Sequence, residues 1–175
     1  RYAVPGGRLV DALFVRALTG LNQPAFRWAS RAEALDMPVI DDTQSIIRCS
    51  NKVFLHELLQ RKGVPTPKTL VASSQTSYDD LVKALGLPFI VKLPDGSFST
   101  AVHKVASKAD WAAKARPMLE KSPLIVAQAW TPTEFDWRVT TLGGKPLFVA
   151  KYHMAPGHWQ VRNADPKAQR YGKVE

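Results

Sequence analysis

With a single cysteine, Cys49, the 175-residue chain can form no internal disulfide, which fits a reducing compartment. Cysteine is commonly a small buried hydrophobe, and that role is expected here, with no chemistry assigned. No stretch reaches the roughly 18 uninterrupted apolar residues of a membrane-spanning helix. No basic segment, apolar core and cleavage site open the chain either, and a cytoplasmic location is expected. Internal repeats and low-complexity tracts are also lacking. Acidic residues are few: 15 Asp and Glu stand against 24 Lys and Arg, for a net charge of +9. The excess is greatest in residues 140–175, with six basic and two acidic residues. Such charge would suit a nucleic acid through counterion release. Few aromatics interleave with it apart from Trp159 and Tyr171, so a basic polyanion-binding module is the minor reading. The histidines of the last third have no carboxylate or thiolate at ligand spacing, so no metal ligands are expected in this chain. No nucleophile and base stand out by spacing.

What is present is enough to bury a core: 45% of the residues are apolar, and the length suits one domain or one domain and part of another. Leu9, Val10, Leu13, Phe14, Ala17 and Leu18 recur at helical spacing up to Gly20, which predicts a helix over 8–19. A second helix is predicted over 24–36, opened by Pro24. Val39-Ile40 reads as a short strand, and Asp41-Asp42 would cap a brief helix after it. Asn51 can cap the next helix, whose apolar stripe is Phe54, Leu55, Leu58 and Leu59, with Gly63 as its exit. Strands follow at Lys68–Ala72, Phe89–Leu93 and Leu124–Ala127. Ser77 and Ser107 would cap two further helices, and Pro117 should kink or end the second. Gly143-Gly144 between two extended runs predicts an antiparallel hairpin.

Two lysines carry the chemistry. Lys52 opens a helix after Ser50-Asn51, and Lys92 ends the apolar run Leu87-Pro88-Phe89-Ile90-Val91 just before Asp95-Gly96-Ser97-Phe98-Ser99-Thr100. A charge on a buried strand must be paired, ligated or near the surface. Followed by a loop with N–H and O–H donors, it suits a polyphosphate. Alone, Lys52 also fits a solvated lysine, and the loop an ordinary turn. Gln128-Ala129-Trp130 after a buried strand could lay a purine against backbone groups and an aromatic, or Trp130 could be core. Asp136 and Arg138 alternate with Trp137 and so share a strand face; a sugar hydroxyl, an anion or a simple surface ion pair would satisfy them. Lys151, His153, His158, Gln160 and Arg162 suit phosphate or carboxylate better than a metal.

Arg48-Cys49-Ser50-Asn51-Lys52, Gly63-Val64-Pro65-Thr66-Pro67-Lys68-Thr69, Leu87 through Lys92, and Gln128 followed by Asp136-Trp137-Arg138 occur in an order that resembles the ATP-grasp superfamily. Within it the chain is similar to RimK-like carboxylate–amine ligases, including at Arg16-Ala17-Leu18-Thr19, Asp41-Asp42 and Gly157-His158-Trp159-Gln160. The resemblance spans nearly the whole chain. It implies an α+β ATP-grasp fragment: a remnant of a preceding domain and linker helices over 1–49, a nearly complete nucleotide-binding lobe over 50–122, and a truncated second lobe over 123–175. ATP would lie between the lobes, with Lys52 and Lys92 on its phosphates and adenine pocket. Gly96, Ser97, Phe98 and Ser99 would form the loop over the phosphates, and Gln128, Ala129 and Trp130 the adenine-facing hinge. Asp136, with Arg138, would lie near the ribose. Lys151, Gln160 and Arg162 would fall among the phosphate- or acyl-phosphate-binding groups. The implied reaction joins an amino acid, often glutamate, to a small-molecule or peptide carboxylate through an acyl phosphate with Mg²⁺; a homo-oligomer is allowed. The sequence departs from the family pattern at Ala129, where a glutamate is usual, at Thr100-Ala101, and at Gln160 with Arg162. The family's Mg²⁺-binding acidic element is expected beyond residue 175, which would leave this stretch inactive alone. A non-catalytic ATP-binding domain is the alternative those departures keep open.

Overall fold

The computed structural model describes residues 2–3, 9–96 and 101–175. The chain forms two compact units, one reaching Ala129 and the other running from Trp130 to Glu175. Among the described residues, no helix is long and apolar enough to cross a membrane.

The first unit opens with strands rather than the expected helix over 8–19. β1 (Tyr2–Ala3) pairs antiparallel with β2 (Leu9–Val10), and β3 (Leu13–Phe14) runs parallel to β4 (Val39–Ile40). The N–H of Leu13 donates to the Pro38 carbonyl at 2.8 Å. Helical spacing thus loses to pairing at long range, where Val10 and Phe14 fit an extended backbone. Between β3 and β4 lies α1 (Pro24–Glu33), which buries Ala25, Ala29 and Ala32. The Glu33 carboxylate accepts the Thr43 N–H at 2.8 Å and the Thr43 hydroxyl at 2.6 Å, tying α1 to the start of α2 (Thr43–Ser50). Asp42 caps α2 as expected, accepting the Ser45 N–H at 2.8 Å. Asn51 caps α3 (Lys52–Arg61) through the N–H groups of Val53 and Phe54. The α3 stripe packs less deeply than its pattern suggests: none of its residues is fully buried.

A four-stranded antiparallel sheet forms the centre of this unit, in the order β5-β8-β6-β7: β5 (Thr69–Ala72), β6 (Phe89–Lys92), β7 (Val102–Val105) and β8 (Ile125–Ala129). Alternation along each strand divides its side chains between two faces. Ala72, Phe89, Val91, Val105, Ile125 and Ala127 join the core with Leu81 of α4 (Tyr78–Leu85) and with Trp111, Ala115 and Met118. Three tilted rings, Tyr78, Phe89 and Trp111, meet at centroid distances of 6.2–6.3 Å. The other face carries Thr69, Gln128, Ile90 and Lys92.

The Ser107-capped helical segment continues past Pro117. It comprises α5 (Lys108–Asp110), a π turn (Trp111–Ala115) and α6 (Arg116–Lys121). The Arg116 N–H donates five residues back to the Trp111 carbonyl, so Pro117 falls in the first turn of α6. There a missing N–H costs little, and the helix does not end at Pro117.

The second unit is built on the predicted hairpin of β9 (Phe135–Leu142) and β10 (Lys145–His153). Gly143 and Gly144 turn it with φ of 56° and 73°, a geometry that favours glycine. On the outer edge of β10, Lys151 and Glu175 exchange backbone hydrogen bonds at 2.7 and 3.0 Å.

Candidate functional site

The first unit brings Lys52 and the loop after β6 together. Backbone contacts hold the helix start there: the Lys52 N–H donates to the Pro94 carbonyl at 2.9 Å, and Asn51 Nδ2 donates to Asp95 Oδ1 at 3.0 Å. Lys52 Nζ then reaches the Gly96 carbonyl at 2.7 Å and that of Pro94 at 3.4 Å. Burial lowers the Lys52 pKa, against the raising effect of Asp95. The same loop borders an open cleft of about 450 Å³ lined by residues 18–23, Cys49, Ser50, Asp95 and Gly96. Cys49 is exposed there, contrary to its expected burial. On α2 the core position belongs to Ile46, and Cys49 sits in the last turn, on the cleft.

Lys92 lies close to Lys52. Its pKa is lowered by burial first and by the Lys52 charge second. Lys92 Nζ donates to Gln128 Oε1 at 2.6 Å. Gln128 Nε2 donates to Thr69 Oγ1 at 2.8 Å, and the Thr69 hydroxyl donates to the Pro67 carbonyl at 2.8 Å. Strand register makes this possible, since Gln128 stands opposite both Thr69 and Ile90, two residues from Lys92 on the same face. Two ammonium groups, forty positions apart in the chain at residues 52 and 92, thus share one locality and touch neutral oxygens. Such a pair is poised for an anion.

The remaining expected residues divide as follows. Gly96 supplies the carbonyl that holds Lys52; Ser97, Phe98 and Ser99 lie outside the described residues. The Ala129 N–H donates to the Lys68 carbonyl at 2.8 Å, so that donor is used within the sheet.

Within the second unit, half-buried Trp130 packs edge-on against Trp159 at 5.3 Å between centroids. Asp136 and Arg138 share a face of β9, as their spacing predicts. Together with Tyr152 and Val161 they line a hollow of about 370 Å³, and the Arg138 guanidinium lies 4.9 Å from the Tyr152 ring centroid. Lys151 pairs opposite Trp137 and places its Nζ 4.2 Å from the Phe135 ring centroid, on the other face of the hairpin. Gln160 closes a local turn, its N–H donating to His158 Nδ1 at 3.1 Å. Arg162 is half-buried and bridges to Tyr171 through the backbone. His153 Nε2 lies 3.5 Å from the Glu175 carboxylate, which Lys173 also contacts. Both groups hold the Glu175 pKa down, Lys173 more strongly.

Sequence reasoning missed Thr69 and Glu175. Thr69 sat in a predicted strand without any signal for its hydroxyl, and Glu175 meets His153 only because the C-terminal segment adds to β10. Among the described residues, no group of three or more His, Cys, Asp or Glu could hold a metal ion.

No protein-family model matches the chain. It is similar to the alpha-aminoadipate–LysW ligase LysX of Sulfurisphaera tokodaii, 34% identical over 138 residues, covering 75% of this chain and 48% of that protein. LysX of Saccharolobus solfataricus is 40% identical over 72 residues, covering 41% of this chain and 26% of that one. The chain thus spans less than half the length of these curated relatives. A RimK domain ATP-grasp protein from Sphaerobacter thermophilus shares the fold, with a TM-score of 0.70 at 15% identity over 97% of this chain and 60% of that one. The chain thus has the α+β ATP-grasp fold of the RimK domain protein and is similar in sequence, over up to 75% of its length, to alpha-aminoadipate–LysW ligases.

Proposed function

We propose that the chain forms the nucleotide-binding lobe and part of the second lobe of an ATP-dependent carboxylate–amine ligase. The observation that carries this reading is the proximity of Lys52 and Lys92, whose hydrogen bonds among the described residues go to neutral oxygens. Their charge is available to phosphate oxygens. In the proposed reaction a substrate carboxylate attacks the γ-phosphorus of ATP, and ADP leaves with the electron pair of the broken bond. An amino acid's amine then attacks the acyl carbon and expels phosphate, forming an amide or peptide bond. Phosphoryl transfer asks mainly for charge stabilisation and alignment, which half-buried ammonium groups held by hydrogen bonds can provide.

In this reading Lys52 and Lys92 hold phosphate and the adenine side of the nucleotide, and Gly96 with Ser97, Phe98 and Ser99 covers it. Gln128, Ala129 and Trp130 border the base, and Asp136 and Arg138 serve the ribose or an anion. Lys151, Gln160 and Arg162 are assigned to the acyl-phosphate side. The proposed domains are a preceding-domain remnant and linker over 1–49, a nucleotide lobe over 50–122 and the start of a second lobe over 123–175. Glutamate is the proposed amino-acid class and the cytoplasm the proposed location. Mg²⁺ enters as the ion expected to accompany the nucleotide. The described residues do not fit a metal centre, and no step is assigned to the ion.

The test is ATP-dependent phosphate release that requires both an amine and a carboxylate, measured on the protein carrying this chain, beside calorimetric ATP binding by the chain itself. Binding without turnover under any amino-acid panel would favour a non-catalytic ATP-binding domain. Absence of ATP binding would remove the reading altogether.

A further inference from the structure

The side chains beneath Lys92 form a chain in which each donor and acceptor is determined. A lysine ammonium only donates, so the oxygen of the Gln128 amide must face it. The amide nitrogen is then committed to Thr69 Oγ1, and the Thr69 hydroxyl proton to the Pro67 carbonyl. Thr69 is only 8% exposed, so water is a poor substitute for either partner. The last member is a backbone carbonyl just before β5, which anchors the whole series to the sheet. Every link is neutral except Lys92.

We propose that Gln128, locked in one amide orientation by Thr69, is a positioning residue that fixes the Lys92 ammonium while leaving its positive charge uncompensated for a nucleotide polyphosphate. A glutamate at the same place could offer similar geometry, but it would cancel the charge that binding uses. A glutamine free to turn would present its NH₂ to an ammonium and lose the bond. The pair Thr69 and Gln128 excludes both outcomes. The ligand part of this inference rests on the nucleotide reading; the positioning part does not.

Three variants separate these effects, with Lys92 titration followed by NMR and ATP affinity by calorimetry. Thr69→Val keeps the shape but removes the hydroxyl. It should lower the Lys92 pKa further and weaken ATP binding by about three- to tenfold, as expected for impairing a hydrogen bond to a charged group. Thr69→Ser should restore both readouts. Gln128→Glu should shift the Lys92 pKa the other way, upward, and still weaken ATP binding by about tenfold or more. Opposite pKa shifts with affinity falling in both variants are the signature that a merely structural role would not produce. Wild-type titration in both Thr69→Val and Gln128→Glu overturns the proposal, as does unchanged ATP affinity in Gln128→Glu. Should Thr69→Val fail to fold, Gln128→Glu and the Thr69→Ser rescue still decide. A wild-type chain that binds no ATP would sink the nucleotide reading, while the Lys92 titration would still test the relay.

Discussion

Replacing Lys92 by methionine tests the central feature most directly, because it keeps much of the stem while deleting the charge. An ammonium about 4 Å from a phosphate charge interacts by about 4 kcal/mol at the effective dielectric of a protein surface. Part of that is returned as desolvation of the amine, already partly met in the folded protein, where burial lowers the Lys92 pKa. A net loss of about 2–3 kcal/mol follows, or about 30- to 150-fold weaker ATP binding. Stability without ligand should change far less. The variant leaves Gln128 Oε1 without its donor at 2.6 Å, a cost of about 1–3 kcal/mol, but it also removes a partly buried charge and its repulsion from Lys52. These effects oppose each other. Isothermal calorimetry gives the affinity and urea denaturation the stability. Lys92→Met with wild-type ATP affinity refutes the assignment of Lys92, and a large stability loss with unchanged affinity would make it a structural lysine.

Three further outcomes are expected. Lys52 and Lys92 both have lowered pKa values, so between each lowered value and about 10.4 the unfolded chain binds more protons. Their unfavourable contribution is therefore fully present at lower pH and relieved as pH rises through that window. ATP affinity should fall over the same range, and pH-dependent denaturation compared between wild type and Lys92→Met isolates one of the two groups. Asn51→Ala removes the α3 cap and the bond to Asp95, and should cost about 1–2 kcal/mol in urea denaturation; a cost below about 0.3 kcal/mol would show that solvent replaces it. Exposed Cys49 should react with a thiol reagent in the native state, whereas a requirement for denaturant would restore the buried reading.

Much of the fold was legible where a local signal had no long-range competitor. Asp42, Asn51, Ser77 and Ser107 each accept the N–H that their position before a helix predicts, and Gly143-Gly144 turns the expected hairpin. The prediction failed where distant partners decided. The helical spacing over 8–19 gave way to pairing of Leu13-Phe14 with Val39-Ile40. Pro117 was accommodated by a π turn whose shifted hydrogen bond leaves no proline signature of its own. Cys49 looked like core because cysteine commonly is, and its place in the last turn of α2 turned it to the cleft instead.

Residue order alone determined which groups carry charge and which segments become helix starts, buried strands and turns, because those depend on neighbours within a few positions. It also carried the family resemblance. Only the folded chain decided that Lys52 and Lys92 come close, that Thr69 holds Gln128, and that Glu175 meets His153. Strand register puts Thr69, Gln128 and Lys92 on one face, since a shift by one residue turns a side chain to the opposite face, and no spacing within a single strand reveals the register it will adopt; the start of α3 is brought to Lys92 by its backbone bond to Pro94.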